Sequence, residues 1–107
     1  NNGGYAGRVT SVTGTYTVAI GDWLLVCSGA SAKTINLPAA SSNTGRILHI
    51  KDSVGNASDY NITVDGNGSE TIDGDTTYTI NQNKASITLI CTGTAWVLVS
   101  VYSGPPP

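Results

Sequence analysis

The chain has 107 residues, a net charge of -2 and a charged fraction of only 11%. This length accommodates one hydrophobic core, so we expect a single domain. Its five basic residues are scattered singly, which argues against nucleic acid or anionic lipid as a partner. No apolar run approaches the roughly 18 residues of a membrane-spanning helix, so we expect no membrane insertion.

Apolar and polar residues alternate along most of the chain, and no stretch shows helical spacing over several turns. Period-two alternation is typical of strands with one buried face. The pattern predicts an all-β fold, an antiparallel β-sandwich or jelly-roll-like module, with a triple β-helix or β-prism as the alternative. We expect an N-terminal edge strand or linker (1–14), the β module (15–102) and a Pro-rich, stiff tail (103–107).

The first predicted strands lie in residues 7–29. Residues 7–14 form a weak, edge-like strand, and residues 15–29 form a stronger one. Gly21-Asp22 interrupts the alternation of the second strand, which predicts a bulge or corner between two halves. The half after this interruption, WLLVC, is apolar on both faces. The half before it places three side chains on one face: Tyr16, Val18 and Ile20.

Residues 33–52, KTINLPAASSNTGRILHIKD, contain two short strands joined by a corner. Pro38 cannot donate a hydrogen bond to a β ladder and ends the first strand. Residues 39–42 are small enough to pass closely over neighbouring segments of the chain. Asn43-Thr44-Gly45 then turns the chain into the second strand. We interpret this passage as architectural, because it carries hardly any reactive group.

The second half of the chain contains further strands in YNITVDG and TTYTINQ, followed by the clearest unit. ASITLI and AWVLVSVY flank CTGT, a short link that predicts a β-hairpin. The second arm is apolar on both faces, so we expect it to be central in a sheet or to lie at a subunit contact. Its apolar residues are Val97, Val99 and Val101 on one face and Trp96 and Leu98 on the other.

Catalytic chemistry has few candidate residues. A nucleophilic triad needs a histidine base, and His49, the one histidine, lies inside a predicted strand. A glycosidase needs two carboxylates beside a sugar-binding groove, but Trp23 and Trp96 are both predicted to lie in strand cores. We therefore expect no enzyme activity, no catalytic residue and no cofactor.

The segment DGNGSETIDGD carries oxygen-bearing side chains at alternate positions, as in the opening of a calcium-binding loop. Glu70 stands where such a loop has glycine, and Thr76 stands where it has a closing glutamate. Ordinary β-turn chemistry explains the same residues. We retain four weak calcium candidates and otherwise expect no metal site: Asp65, Asn67, Ser69 and Asp73.

The two cysteines, Cys27 and Cys91, each follow a strong β run. A disulfide between them would close a long loop and could add on the order of 4 kcal/mol of stability. The alternative is that both are reduced and buried as small apolar side chains. The sequence leaves both interpretations open.

The pattern of small and turn residues resembles a module of bacteriophage tail fibres, tailspikes and related virion proteins. In that module a TLPAAS…G turn leads into a strand ending in Lys, and tIdG and vtLisdGtnW segments follow. The resemblance covers about residues 15–100. The matching positions are Ile35, Leu37, Pro38, Ala39, Ala40, Ser41, Gly45, Lys51, Ile72, Asp73, Gly74, Leu89, Gly93 and Trp96.

This resemblance implies a homotrimeric domain on the virion surface or in another extracellular setting. It would be a rigid segment or tip knob contributing to host-cell attachment, with a host glycan or receptor as partner. One alternative is a carbohydrate-binding module with an exposed aromatic platform formed by Tyr5, Tyr60 or Tyr78. Another is a subunit of an extracellular filament or capsid decoration, in which the Pro-rich tail meets a neighbouring subunit.

Overall fold

The computed structural model describes residues 7–106, which fold into two β-sheets that pack against each other. The five-stranded sheet has the order β1-β3-β5-β8-β9, and the four-stranded sheet has the order β2-β4-β6-β7. The predicted all-β, sandwich-like fold is confirmed. The elements are β1 (Arg8–Val12), β2 (Tyr16–Thr17), β3 (Asp22–Cys27), β4 (Lys33–Asn36), a 3-10 turn (Ala40–Ser42), β5 (Ile47–Asp52), β6 (Ile62–Asp65), β7 (Thr77–Ile80), β8 (Ser86–Cys91) and β9 (Trp96–Tyr102).

The first six strands alternate between the sheets, so the chain winds around the core in successive coils. Strands that neighbour each other in a sheet are therefore two apart in sequence and run parallel, as β1 with β3, β3 with β5, β2 with β4 and β4 with β6. The last three strands pair antiparallel with their neighbours. The chain thus ends with β7, which completes the four-stranded sheet, and the β8–β9 hairpin, which completes the five-stranded sheet.

The sheets are mixed, which corrects the expectation of purely antiparallel pairing. In/out alternation reports only which side chains are buried and is the same for either strand direction. The direction here follows from connections that pass through the opposite sheet, which a parallel pair requires because a tight turn cannot join it. Within a single chain, the described residues form two sheets and not the three sheets of a β-prism.

One hydrophobic core fills the space between the sheets. Its members alternate along the strands: Leu25 and Cys27 in β3, Leu48 and Ile50 in β5, Ile62 and Val64 in β6, and Ile87, Leu89 and Cys91 in β8. Trp96, at the start of β9, is the largest fully buried side chain. Burial of a side chain of this class stabilises a fold by about 1.5–3 kcal/mol, so the core is the main source of stability.

Both predicted corners are confirmed. At Gly21-Asp22 the chain passes from the four-stranded to the five-stranded sheet, with Gly21 at φ +92°. After Pro38 the 3-10 turn buries Ala40 completely. Asn43 then donates a side-chain hydrogen bond to the Ala39 carbonyl at 2.7 Å, which fixes the turn into β5.

The hairpin of β8 and β9 is confirmed, with Cys91 opposite Trp96. Three details differ from expectation. β9 is an edge strand and not a central one, because the sheet ends there. Ile20 is 94% exposed, because β2 ends at Thr17 and the chain leaves the strand before it. Trp23 is 37% exposed, because a register shift between Arg8 and Val9 leaves it without a partner in β1.

Candidate functional site

The outer edge of β9 carries three exposed large apolar side chains within four residues. Val99 is 53% exposed and Val101 52%, and Tyr102 beside them is also exposed. Trp96–Tyr102 contains no charged residue and no proline, two features that prevent edge-to-edge pairing in monomeric β proteins. Its one irregularity is a register shift against β8 that leaves Val99 without a partner. We call Val99–Tyr102 the β9 edge. It has the properties of a surface that another strand or subunit covers.

The beginning of β9 is protected by the segment that precedes β7. The Trp96 amide donates to the Thr71 carbonyl and the Asp73 amide donates to the Trp96 carbonyl, both at 2.9 Å. The Asp73 carboxylate then accepts a hydrogen bond from the Leu98 amide at 3.2 Å. Within residues 7–106 no strand pairs with the outer side of β9 beyond this point. The β9 edge therefore begins where the covering segment ends.

A shallow groove of about 200 Å³ lies between the β9 edge and β7. Its floor includes the buried side chains Ile80 and Ile87, and its walls include Tyr78, Val101 and Tyr102. The two sheets are open to solvent along this side, because β7 and β9 are both terminal strands. Polar side chains, including Asn81 and Gln82, also line the groove. A groove of mixed polarity beside a free backbone edge suits an extended polypeptide segment.

Asp22 holds the opposite side of the sandwich together. Its Oδ1 accepts hydrogen bonds from the Arg8 guanidinium at 2.7 and 3.0 Å and from Thr10 Oγ1 at 2.6 Å. Its Oδ2 accepts from Tyr16 Oη at 2.5 Å and from the Ala19 amide at 2.8 Å. Burial alone would raise the pKa of this carboxyl, but the hydrogen bonds outweigh it and lower the pKa from 3.8 to about 2.

Asp52 has the same role at the other end of the five-stranded sheet. Its carboxylate accepts hydrogen bonds from the backbone amides of Gly55, Ala57 and Lys84 at 3.1, 3.0 and 2.9 Å. Burial acts to raise its pKa, and these backbone bonds lower it overall. Sequence analysis missed both buried carboxylates. The available signal was an Asp at the boundary of a strand beside an otherwise apolar run.

His49 lies on the outer face of β5, where its Nδ1 is 2.9 Å from Thr88 Oγ1. Its ring forms a T-shaped contact with the Trp23 ring at a centroid distance of 5.0 Å. Neither neighbour is a carboxylate or a nucleophile positioned for a triad. Within the described part of the chain, no three His, Cys, Asp or Glu side chains group to hold a metal ion.

The four calcium candidates have divergent structural roles. Asp65 ends β6, and the Asn67 carbonyl accepts the Glu70 amide in a turn. Asp73, at φ +53°, caps the beginning of β9 as described above. Ser69 is exposed in the same turn region. The segment therefore functions structurally as a turn and an edge cover.

The two tyrosine candidates that the structure describes are only partly exposed. Tyr78 is half-buried against the core, and Tyr60 is half-buried in the loop before β6. Tyr5 lies outside the described residues. The exposed indole of Trp23, which we expected in a strand core, is instead the aromatic group on an open sheet face.

Cys27 and Cys91 are both free and buried. Cys27 lies beside Asp52, at the end of the sheet where β8 begins, whereas Cys91 ends β8. The two cysteines are therefore separated along the strand direction by the length of β8, roughly 17 Å. A disulfide tolerates a Cα–Cα distance of only about 7 Å. The structure favours the reduced alternative.

No model of a protein family matches this chain, and a search of curated proteins also gave no match. Among residues 7–106, no helix is long and apolar enough to cross a membrane.

Proposed function

We propose that this domain is a non-enzymatic structural and adhesion module of a viral fibre or spike, located on the virion surface. It acts as a homotrimer, in which the domain is a rigid segment or tip knob that contributes to host-cell attachment. The β9 edge is the observation that carries the assembly part of this proposal, since a lone domain would leave it open to indiscriminate pairing.

The resemblance to virion appendage modules and the low charge support the same role. Low charge reduces repulsion between identical copies, and the buried Asp22 and Asp52 fix both ends of the five-stranded sheet. A trimer would also present three copies of any weak binding surface. Simultaneous engagement can raise the overall affinity by about 10²–10⁴-fold without any new contact.

The assembly is tested by native mass spectrometry and sedimentation of the wild-type chain and of Val101→Lys. We expect a mass of three chains for the wild type and of one folded chain for Val101→Lys, because a charge on the β9 edge opposes pairing. Val54→Lys is the matched control, because Val54 is 51% exposed in a loop after β5. It should remain trimeric.

A wild-type chain that stays monomeric at high concentration contradicts the trimer. A Val101→Lys variant that still assembles contradicts the β9 edge as the interface. Growth into open-ended polymers would favour the alternative of a filament subunit, because a head-to-tail contact that does not close produces fibres.

A further inference from the structure

We propose that the outer face of the five-stranded sheet binds an acidic oligosaccharide, with Trp23 as the stacking platform. This inference rests on the proposed attachment role and names the ligand class for it. The outer face shares Ser100 and Tyr102 with the β9 edge. Trp23 and Lys51 lie outside that edge, so substitutions at these two residues test the ligand separately from the assembly.

The register aligns six hydrogen-bonding side chains on this face in two rows. His49 of β5 lies opposite Thr88 of β8, which lies opposite Ser100 of β9. Lys51, Ser86 and Tyr102 form the next row on the same strands. We call these six residues the outer polar grid. Strand spacing is about 4.8 Å and the rows are about 7 Å apart, so the grid covers an area comparable to that of one or two sugar rings.

Trp23 lies beside the grid because of two local features. The bulge in β3 releases it from pairing with β1, and its ring then turns over Gly7, where a Cβ atom would lie 2.3 Å from Trp23 Cδ2. The ring forms a T-shaped contact with His49, and the side chain remains 37% exposed. A flat exposed indole presents an apolar surface on which the C–H face of a sugar can stack.

Trp23 lines two shallow recesses on this face. One, of about 300 Å³, is shared with Leu24, His49, Lys51 and Thr88 of the sheet. The other, of about 380 Å³, is shared with Arg46, Ile47 and the Gly21-Asp22 corner. A chain of two or more sugars could occupy both recesses, and the sugar in each recess would contact Trp23.

Each recess contains one cation and no carboxylate that is free to repel an anion. Lys51 Nζ lies 5.0 Å from the centroid of the Tyr102 ring and donates to the Lys84 carbonyl. Arg46 donates to the Ala19 and Asp22 carbonyls, both at 2.7 Å. The Asp22 carboxylate is buried and saturated with hydrogen bonds.

The outward-facing positions of β3, β5, β8 and β9 in the two grid rows include no Asp or Glu. This contrasts with a chain whose acids outnumber its basic residues by seven to five. The face therefore complements a negatively charged ligand. The stacking group and the rows of hydrogen-bonding side chains favour a uronate- or sialate-containing saccharide over a simple anion.

The test is a titration of the intact chain with a uronic acid hexasaccharide and with sialyllactose, each beside its neutral counterpart. Binding is followed by calorimetry and by backbone amide shifts. We expect saturable binding of at least one acidic ligand, weakened by added salt, with shifts concentrated at the grid and around Trp23. Trp23→Ala should abolish it, and Lys51→Gln should weaken it about tenfold or more.

Lys84→Gln is the matched charge control, because it removes the same charge from a loop beside the grid and should change the affinity less than twofold. Circular dichroism verifies that each variant is folded. Equal binding of acidic and neutral ligands, no binding of either acidic ligand, or full binding by Trp23→Ala would each overturn the proposal. Amide shifts that track self-association of the protein, and not the ligand concentration, would also overturn it.

The monomeric Val101→Lys variant separates this proposal from the proposed function. It should retain the single-site affinity for the acidic saccharide, because the substitution lies outside the grid. A wild-type chain that is trimeric but binds no acidic saccharide overturns only the ligand. A wild-type chain that binds the saccharide but stays monomeric overturns only the trimer.

Discussion

At the scale of single residues, Asp22 links the corner before β3 to the edge strand β1 through five hydrogen bonds. Its folded pKa of about 2 lies below the ordinary value of 3.8, so folding favours the ionised form. The resulting stability is present above pH 3.8 and is lost as the pH falls towards 2. The two pKa values correspond to about 2 kcal/mol.

We therefore predict that Asp22→Asn lowers the free energy of unfolding at pH 7 by about 2 kcal/mol and flattens its dependence on pH between 4 and 2. Urea titrations at a series of pH values measure both effects. Asp59→Asn, in an exposed loop, is the control and should behave as the wild type. A variant that keeps the wild-type acid sensitivity would show that another carboxylate is responsible.

The thiols offer a second prediction at this scale. Burial raises the pKa of Cys27 to about 12, so little reactive thiolate exists near neutral pH. We expect iodoacetamide at pH 8 to leave Cys27 unmodified in the native chain and to modify both cysteines in urea without a reductant. Intact-mass spectrometry measures this. A chain that needs a reductant before alkylation would contain a disulfide after all.

At the scale of strands, alternation predicted the inward faces well, as for Ile62 and Val64 or Ile87 and Leu89, because it depends only on local backbone geometry. Strand direction was not predictable, since it depends on connections through the opposite sheet. The apolar second arm of the hairpin predicted a central strand or a strand at a subunit contact, and β9 is an edge strand. Trp23 was wrongly predicted to lie in a strand core, because a bulge changes which face a residue occupies. The only sign of this bulge in the sequence is the Gly21-Asp22 interruption.

The turn after β6 provides the prediction for this scale. A Cβ atom at Gly66 would lie 2.2 Å from the Glu70 carbonyl oxygen. Gly66→Ala must therefore displace the backbone that leads to the segment covering the beginning of β9. We expect a loss of about 1–3 kcal/mol, the usual cost of inserting a methyl group into packed structure. Thermal and urea unfolding measure it.

Gly14→Ala is the matched control, because nothing lies within 4 Å of the added Cβ atom and its backbone is not left-handed. Reduced freedom of the unfolded chain should leave it neutral or slightly more stable. If the two alanine variants lost stability equally, the close approach at Gly66 would not be the cause.

At the scale of the whole molecule, the alternation of strands between sheets makes each sheet depend on the other. Residues of β3 and β5 contact one side of the core, and those of β4 and β6 contact the other side, within one cluster. Each coil of the chain passes through both sheets, so neither sheet can unfold without breaking the connections of the other. The domain should therefore unfold as one unit, even though its two sheets share no strand pair.

Ile35→Ala tests this coupling, because Ile35 is fully buried in the four-stranded sheet whereas Trp96 lies in the five-stranded sheet. We expect a loss of about 2–5 kcal/mol, as for other large-to-small core substitutions. The midpoint reported by Trp96 fluorescence, in a Trp23→Phe background, should fall as far as the midpoint from far-ultraviolet circular dichroism. If the fluorescence midpoint stayed at its original value while the circular dichroism midpoint fell, the sheets would unfold separately. The winding of the chain would then not couple them.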